Sequence, residues 1–251
     1  MEYRTALVTG ASSGLGRGLS LWLARRGVKV YAAARRTEQL EACAAEAREG
    51  GAEIIPVTLD VARTEDTLAR IRALDAGCGG LDLVVANAGV GEVTNGKTLQ
   101  WERVQRTIDV NVTGAAATLC AVLPQMVARG RGHLVGVSSI SAYRGLPGNA
   151  AYSGSKAFLS TFMESLRVDL QGTGVRVTSL HPGFVKTDMT KHNRHRMPFL
   201  LEAEEGVELM GQAILRGEGE YAFPWQMRQV LRVLRVLPNP LFDRIGRRVR
   251  R

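Results

Sequence analysis

The chain has 251 residues, enough for one large α/β domain or two small ones around a sizeable core, and with 45% hydrophobic and 23% charged residues it is neither disordered nor fibrous. Its formal net charge of +9 is unevenly placed: Arg228 to Arg251 carries eight arginines against Asp243, a net +7 that leaves +2 for everything before it, so a general nucleic-acid binder, whose phosphate-tracking charge would lie on the folded body, is excluded. Cys43, Cys78 and Cys120 are widely spaced with no CxxC, which supports neither a disulfide framework nor a zinc site and fits a reducing compartment.

Met-Glu-Tyr-Arg leads straight into Ala6-Leu7-Val8 without the basic region and cleavage site of a leader. The longest uncharged stretch, Val112 to Val127, is short of a membrane span and is interrupted by Thr113, Thr118, Pro124 and Gln125. A cytoplasmic protein is expected, with a basic tail that could touch a membrane surface.

Seven short β-branched runs alternate with longer helical patterns: Thr5 to Thr9, Val28 to Ala34, Glu53 to Leu59, Leu81 to Ala86, His133 to Ser138, Val175 to Leu180 and Glu220 to Phe223. Such alternation predicts a doubly wound parallel sheet, the α/β architecture of the Rossmann fold, with crossover helices bounded by glycines such as Gly27, Gly130 and Gly172. One domain is expected over residues 1–223, including an irregular excursion at 187–202, followed by a tail over 224–251.

The first strand runs into Thr9-Gly10-Ala11-Ser12-Ser13-Gly14-Leu15-Gly16 and then a helix with Leu19, Leu21, Trp22 and Leu23. A glycine-rich strand-to-helix turn lets the backbone and the helix N-terminus approach a pyrophosphate; by itself it also fits any tight turn that needs glycine. Further along stand Asp60-Val61 after the third strand, Asn87-Ala88-Gly89 after the fourth, Asn111 in the next helix, and Ser139 thirteen residues before Tyr152. Tyr152-Ser153-Gly154-Ser155-Lys156 and then Pro182-Gly183 with Val185 and Thr187 complete the series.

The spacing TGxxxGxG, the YxxxK pentapeptide and the remaining matches, in order over residues 9 to 187, resemble the short-chain dehydrogenase/reductase family. The resemblance implies an NAD(P)-dependent oxidoreductase that moves a hydride between nicotinamide and a carbonyl carbon, with Asn111, Ser139, Tyr152 and Lys156 catalytic. It implies cofactor contacts at Gly10, Ser12, Ser13, Gly14, Leu15, Gly16, Asp60, Val61, Asn87, Ala88, Gly89, Tyr152, Lys156, Pro182, Gly183, Val185 and Thr187. Tyr152 and Lys156 are four apart on a predicted helix and share a face, so the ammonium can stabilise a tyrosinate and bring a phenol of pKa about 10 toward neutrality. Ser139 is expected to bond the substrate oxygen and Asn111 to anchor a water of the proton relay. As alternatives, Tyr152 and Lys156 could be a core and a surface residue, Asp60 a helix cap, and Asn87 a brace.

At the end of strand two, Ala34 stands where an NAD enzyme carries a carboxylate for the ribose 2′-hydroxyl, and Arg35 and Arg36 follow. Guanidinium groups fork onto a 2′-phosphate, so NADP(H) is preferred and NAD(H) remains an option. The excursion at 187–202 falls at the family's substrate lid, where Met189, Met197, Phe199, Leu200 and Leu201 either cover a hydrophobic substrate or pack onto the body. Lys191, Arg194 and Arg196 suit an acidic group, which keeps a 3-oxoacyl thioester reductase as an alternative to a ketone or aldehyde reductase. A catalytically silent NADP-binding sensor is the alternative from another class. No metal site is assigned: His192 and His195 lack companions, and His133 and His181 stand at strand ends. The family's habit implies a homodimer or homotetramer through the helices of Asn111 and Tyr152, with Phe158 and Phe162 available to a partner.

In the tail, Arg228, Arg232 and Arg235 project within roughly 60° of one another at 100° per residue, with Val230, Leu231, Val233, Leu234, Val236 and Leu237 around the remaining arc. Pro238 and Pro240 break this helix, and Leu241, Phe242, Ile245 and Val249 repeat the pattern among further arginines. Such a helix fits either an anionic membrane surface or a fold-back onto its own subunit or a neighbour.

Overall fold

The structure, a computed structural model, describes residues 3–191 and 197–249. Seven strands form one parallel sheet in the order β3-β2-β1-β4-β5-β6-β7. They are β1 Thr5–Thr9, β2 Lys29–Ala34, β3 Ile54–Thr58, β4 Leu83–Ala86, β5 Gly132–Val137, β6 Val175–Pro182 and β7 Glu220–Phe223. All seven sequence-predicted strands are present, two with the expected bounds and five with one or both ends moved by one or two residues. Strand β5 is buried along its whole length, as a central parallel strand covered on both faces must be. Pro56 sits in β3, an edge strand, where a missing backbone donor is tolerated.

The α-helices are α1 Gly14–Ala24, α2 Thr37–Glu49, α3 Thr64–Gly77, α4 Trp101–Ile108, α5 Ala115–Cys120, α6 Leu123–Ala128, α7 Ala150–Asp169, α8 Ala203–Arg216, α9 Trp225–Val236 and α10 Asn239–Val249. Between α4 and α5 the chain winds as a π-helix over Asp109–Gly114. One core lies between the sheet and α1, α2 and α8, around Leu19, Leu23, Leu40 and Ile214; the other lies under α3, α5 and α7, around Ile71, Leu119, Leu159 and Met163. The helical run Trp101–Ala128 is long and apolar enough to cross a membrane, but more than half of its most apolar window is buried, as in a core helix. Helices α1 and α8 touch at two glycines. A Cβ on Gly211 would fall 2.6 Å from the Trp22 ring, and one on Gly18 would fall 2.6 Å from Val207 Cγ2.

The excursion divides. Phe184 and Lys186 pair with Leu201 through backbone bonds, and Leu201 packs on the α1 and α8 core. His192 to Arg196 lie outside the described residues. In the tail, α9 and α10 occupy the two segments that the proline break predicts.

Candidate active site

The strand order reverses between β1 and β4, and there the carboxyl ends of the strands part to leave a cavity of about 350 Å³, the expected place for a ligand in an open α/β sheet. Its wall contains Gly10, Ser12, Ser13, Gly14, Leu15, Gly16, Arg35, Arg36, Asp60, Val61, Asn87, Ala88, Gly89, Ser139, Tyr152, Lys156, Pro182, Gly183, Val185 and Thr187. Residues far apart in the chain thus meet because each follows a neighbouring strand.

The β1–α1 turn is shaped by close approach. A Cβ on Gly16 would lie 2.4 Å from both Asn87 Nδ2 and Gly10 O, and one on Gly10, whose φ is +69°, would lie 2.7 Å from Ala88 Cα. Asn87 Nδ2 donates to Thr9 O at 2.8 Å and ties the turn to β4, so the side chain acts as a brace between strands. The Asp60 carboxylate accepts from Ala62 N–H at 3.2 Å and shapes the bend after β3. Across the turn, the Arg36 guanidinium donates to Ser12 Oγ at 2.9 Å and to Ser13 Oγ at 2.7 Å; Arg35 and Arg36 are both exposed at the rim of the cavity.

On the other wall, Ser139 begins the short 3₁₀ turn Ile140–Ala142; its Oγ accepts from Ser141 N–H at 3.2 Å and from the Ser141 hydroxyl at 2.9 Å. Ser139 and Tyr152 line the same wall of the cavity. Lys156 is buried, donates from Nζ to Val137 O at 2.8 Å, and lies 5.7 Å from the Tyr152 ring centroid. Burial lowers its pKa to about 8. Burial also raises the Tyr152 pKa, with only the Ser139 hydroxyl pulling the other way. Burial thus acts on the phenol in the direction opposite to the stabilisation expected from Lys156.

Asn111 is set behind the cavity. It lies in the π-helical turn, fully buried and off the cavity wall, with Nδ2 donating to Val90 O and Ser155 Oγ, both at 3.0 Å, and Oδ1 accepting from Val90 N–H at 2.8 Å. Its amide is committed to pinning the chain after β4 against α7. Gly89 separates it from the lysine: a Cβ there would lie 3.5 Å from both Asn111 Oδ1 and Lys156 Nζ.

His181, at the end of β6, backs the Ser139 wall. Its Nδ1 lies 3.3 Å from Ser139 O and its Nε2 lies 2.9 Å from Ser179 Oγ, directly behind the serine. The one available signal was its place just before Pro182-Gly183. His133 is remote from the cavity, between Tyr3 Oη at 2.7 Å and Thr178 Oγ1 at 2.8 Å. Of the excursion's apolar residues, Met189 lines the cavity and packs near Gly91, whereas Met197 and Leu200 border a separate cavity beside α1 and α8.

A dinucleotide fits these residues. Side chains at Gly10 and Gly16 would fill the turn against which a pyrophosphate must lie, the α1 N-terminus faces the cavity, and Arg36 adds a fixed cation where Ala34 leaves no carboxylate to repel phosphate.

Comparison with known proteins decides the family. The sequence profile of the short chain dehydrogenase family matches residues 4–198. The chain belongs to the short-chain dehydrogenase/reductase family. Within it, the chain is 67% identical over 250 residues to an "uncharacterized oxidoreductase" of Myxococcus xanthus, covering 100% of this chain and 99% of that one. It superposes on a short-chain dehydrogenase from Sphingobium yanoikuyae in complex with NADPH at a TM-score of 0.81 and 26% identity, covering 94% of this chain and 96% of that chain. It also superposes on an actinorhodin polyketide ketoreductase with NADPH at a TM-score of 0.79 and 27% identity, covering 88% and 95%. This short-chain dehydrogenase/reductase is an NAD(P)-dependent oxidoreductase with a seven-stranded Rossmann-type sheet.

Proposed function

We propose that the protein reduces a ketone or aldehyde with NADPH, using Tyr152 as the acid. The observation that carries this reading is the convergence of Ser139, Tyr152 and Lys156 on one wall of a cavity whose other wall is the glycine turn. NADPH, when bound, supplies the hydride. The turn from Gly10 to Gly16 would hold the pyrophosphate, Arg36 with Arg35 the 2′-phosphate, Asp60 and Val61 the adenine end, and Lys156 the nicotinamide ribose. Ser139 and Tyr152 hydrogen-bond the substrate oxygen and fix the carbonyl's orientation. Tyr152 gives its proton to that oxygen as the carbonyl carbon is reduced, and the Lys156 ammonium stabilises the phenolate that remains. Asn111 acts through position, holding the segment after β4 against α7.

The substrate on this reading is a small hydrophobic carbonyl compound that meets Met189. The thioester alternative rests on Lys191, Arg194 and Arg196, two of which lie outside the described residues, so no observation favours it. NADP is preferred over NAD because Arg36 is already oriented and Ala34 carries no charge; the two NADPH complexes among the structural relatives support the same preference. Three unpaired cysteines support a cytoplasmic working place. A homo-oligomer through α7 is supported by Phe158, 39% exposed and stacked on Phe162 at 5.6 Å between centroids.

The test is NADPH oxidation followed at neutral pH over ketones, aldehydes, quinones and acyl thioesters. Turnover of ketones or aldehydes is expected. Tight NADPH binding with no turnover of any carbonyl would favour the silent sensor and overturn the proposal.

A further inference from the structure

Among the described residues, helix α9 meets the body through Met227 and Leu234 on one side, where they pack with Ile140, Tyr143 and Phe184. On the opposite side Trp225, Val233 and Val236 are 69%, 61% and 80% exposed. At 100° per residue these three lie within roughly 80° of one another, and Arg232 falls about 20° beyond Trp225 on the same exposed side. The apolar arc of the helix is wider than the body covers. The row is also held in place: Arg144 donates to Arg235 O at 3.2 Å and to Asn239 Oδ1 at 2.7 Å, and its guanidinium lies 4.4 Å from the centre of the Phe242 ring. Leu241, at the start of α10, is exposed as well.

A fixed apolar row on the surface marks a contact, and charge identifies its occupant. The segment Arg228 to Arg251 carries a net +7 against +2 for the rest of the chain. A second copy docking face to face would bring the same charge against itself. An anionic bilayer brings the opposite charge together with hydrocarbon for the valines and an interface of the kind that tryptophan prefers. We propose that the α9–α10 face docks the protein peripherally on an anionic lipid bilayer. Trp225, Val233 and Val236 enter the headgroup boundary, and Arg232, Arg235 and Arg244 lie among the lipid phosphates. The inference is independent of the reaction proposed above.

The experiment is cosedimentation of the full chain with vesicles of phosphatidylcholine alone and of phosphatidylcholine with phosphatidylglycerol, over a range of NaCl. Binding is expected only with phosphatidylglycerol and should weaken as salt rises. Replacing Arg232 and Arg235 by alanine should weaken it about fivefold per arginine. Trp225→Ser with Val236→Ser changes only exposed side chains, so the melting temperature should hold while vesicle binding is lost. Absence of binding by the intact protein overturns the proposal, as does undiminished binding by the serine variant. Retention on duplex DNA in place of vesicles would reassign the arginines to polyanions and also overturn it. So would a dimer that dissociates on the serine substitutions.

Discussion

Lys156 holds a charge in a place that disfavours it. Burial alone lowers its pKa from 10.5 to about 8, so between those values the unfolded chain binds a proton that the folded chain does not. The folded state is penalised below about pH 8, and the penalty is relieved as pH rises from there toward 10.5. Lys156→Met should therefore raise the melting temperature of the cofactor-free protein at pH 7, by a free energy on the order of 2–3 kcal/mol, and should abolish carbonyl reduction. A melting temperature equal to or below wild type would show that the lysine stabilises its surroundings. For Tyr152→Phe the ring stays and the proton is lost. Turnover should fall by two or more orders of magnitude while NADPH affinity, measured by fluorescence titration, is unchanged; near-wild-type turnover would remove Tyr152 from the chemistry.

Among the elements, the β1–α1 turn and the start of α2 act together, because Arg36 reaches back to Ser12 and Ser13. Loss of a charge-assisted phosphate contact costs about 1.5–3 kcal/mol, roughly tenfold to a hundredfold in affinity. Arg36→Ala should weaken NADPH by that factor with little effect on NADH, and adding Ala34→Asp should invert the preference in competition kinetics; equal loss for both cofactors would place Arg36 elsewhere. The glycines of this turn, the strands and the series from Asn87 to Thr187 were legible in the sequence, since each depends on local spacing or on a parallel strand's apolar run. Three features were not. Asn111 reads as a helical residue, but only the tertiary approach of Gly114 to Val61, where a Cβ would lie 2.8 Å from Val61 O, accompanies the π-helical turn that carries it. The split between Met189 and the pair Met197 and Leu200 depends on which neighbour each meets, and apolarity alone is silent on that. The balance between Lys156 and desolvation at Tyr152 is a property of depth, which a four-residue spacing does not encode.

For the whole molecule, Phe158, exposed on α7 and stacked on the partly buried Phe162, predicts a homodimer or homotetramer by light scattering at micromolar concentration, and a monomer would refute the assignment of that surface. A second consequence follows from the glycine contacts between α1 and α8. Gly18 and Gly211 lie on the facing sides of α1 and α8, away from any reacting group, and a methyl at either position collides with Val207 or with the Trp22 ring. An allele scan scored by activity would group Gly211→Ala with Tyr152→Phe as loss of function. Second-site suppression separates them: Trp22→Leu should restore Gly211→Ala by vacating the space, whereas no change at a neighbour returns a proton to the phenylalanine. A genetic map of this protein would thus carry two kinds of essential position, one that a neighbour can rescue and one that it cannot.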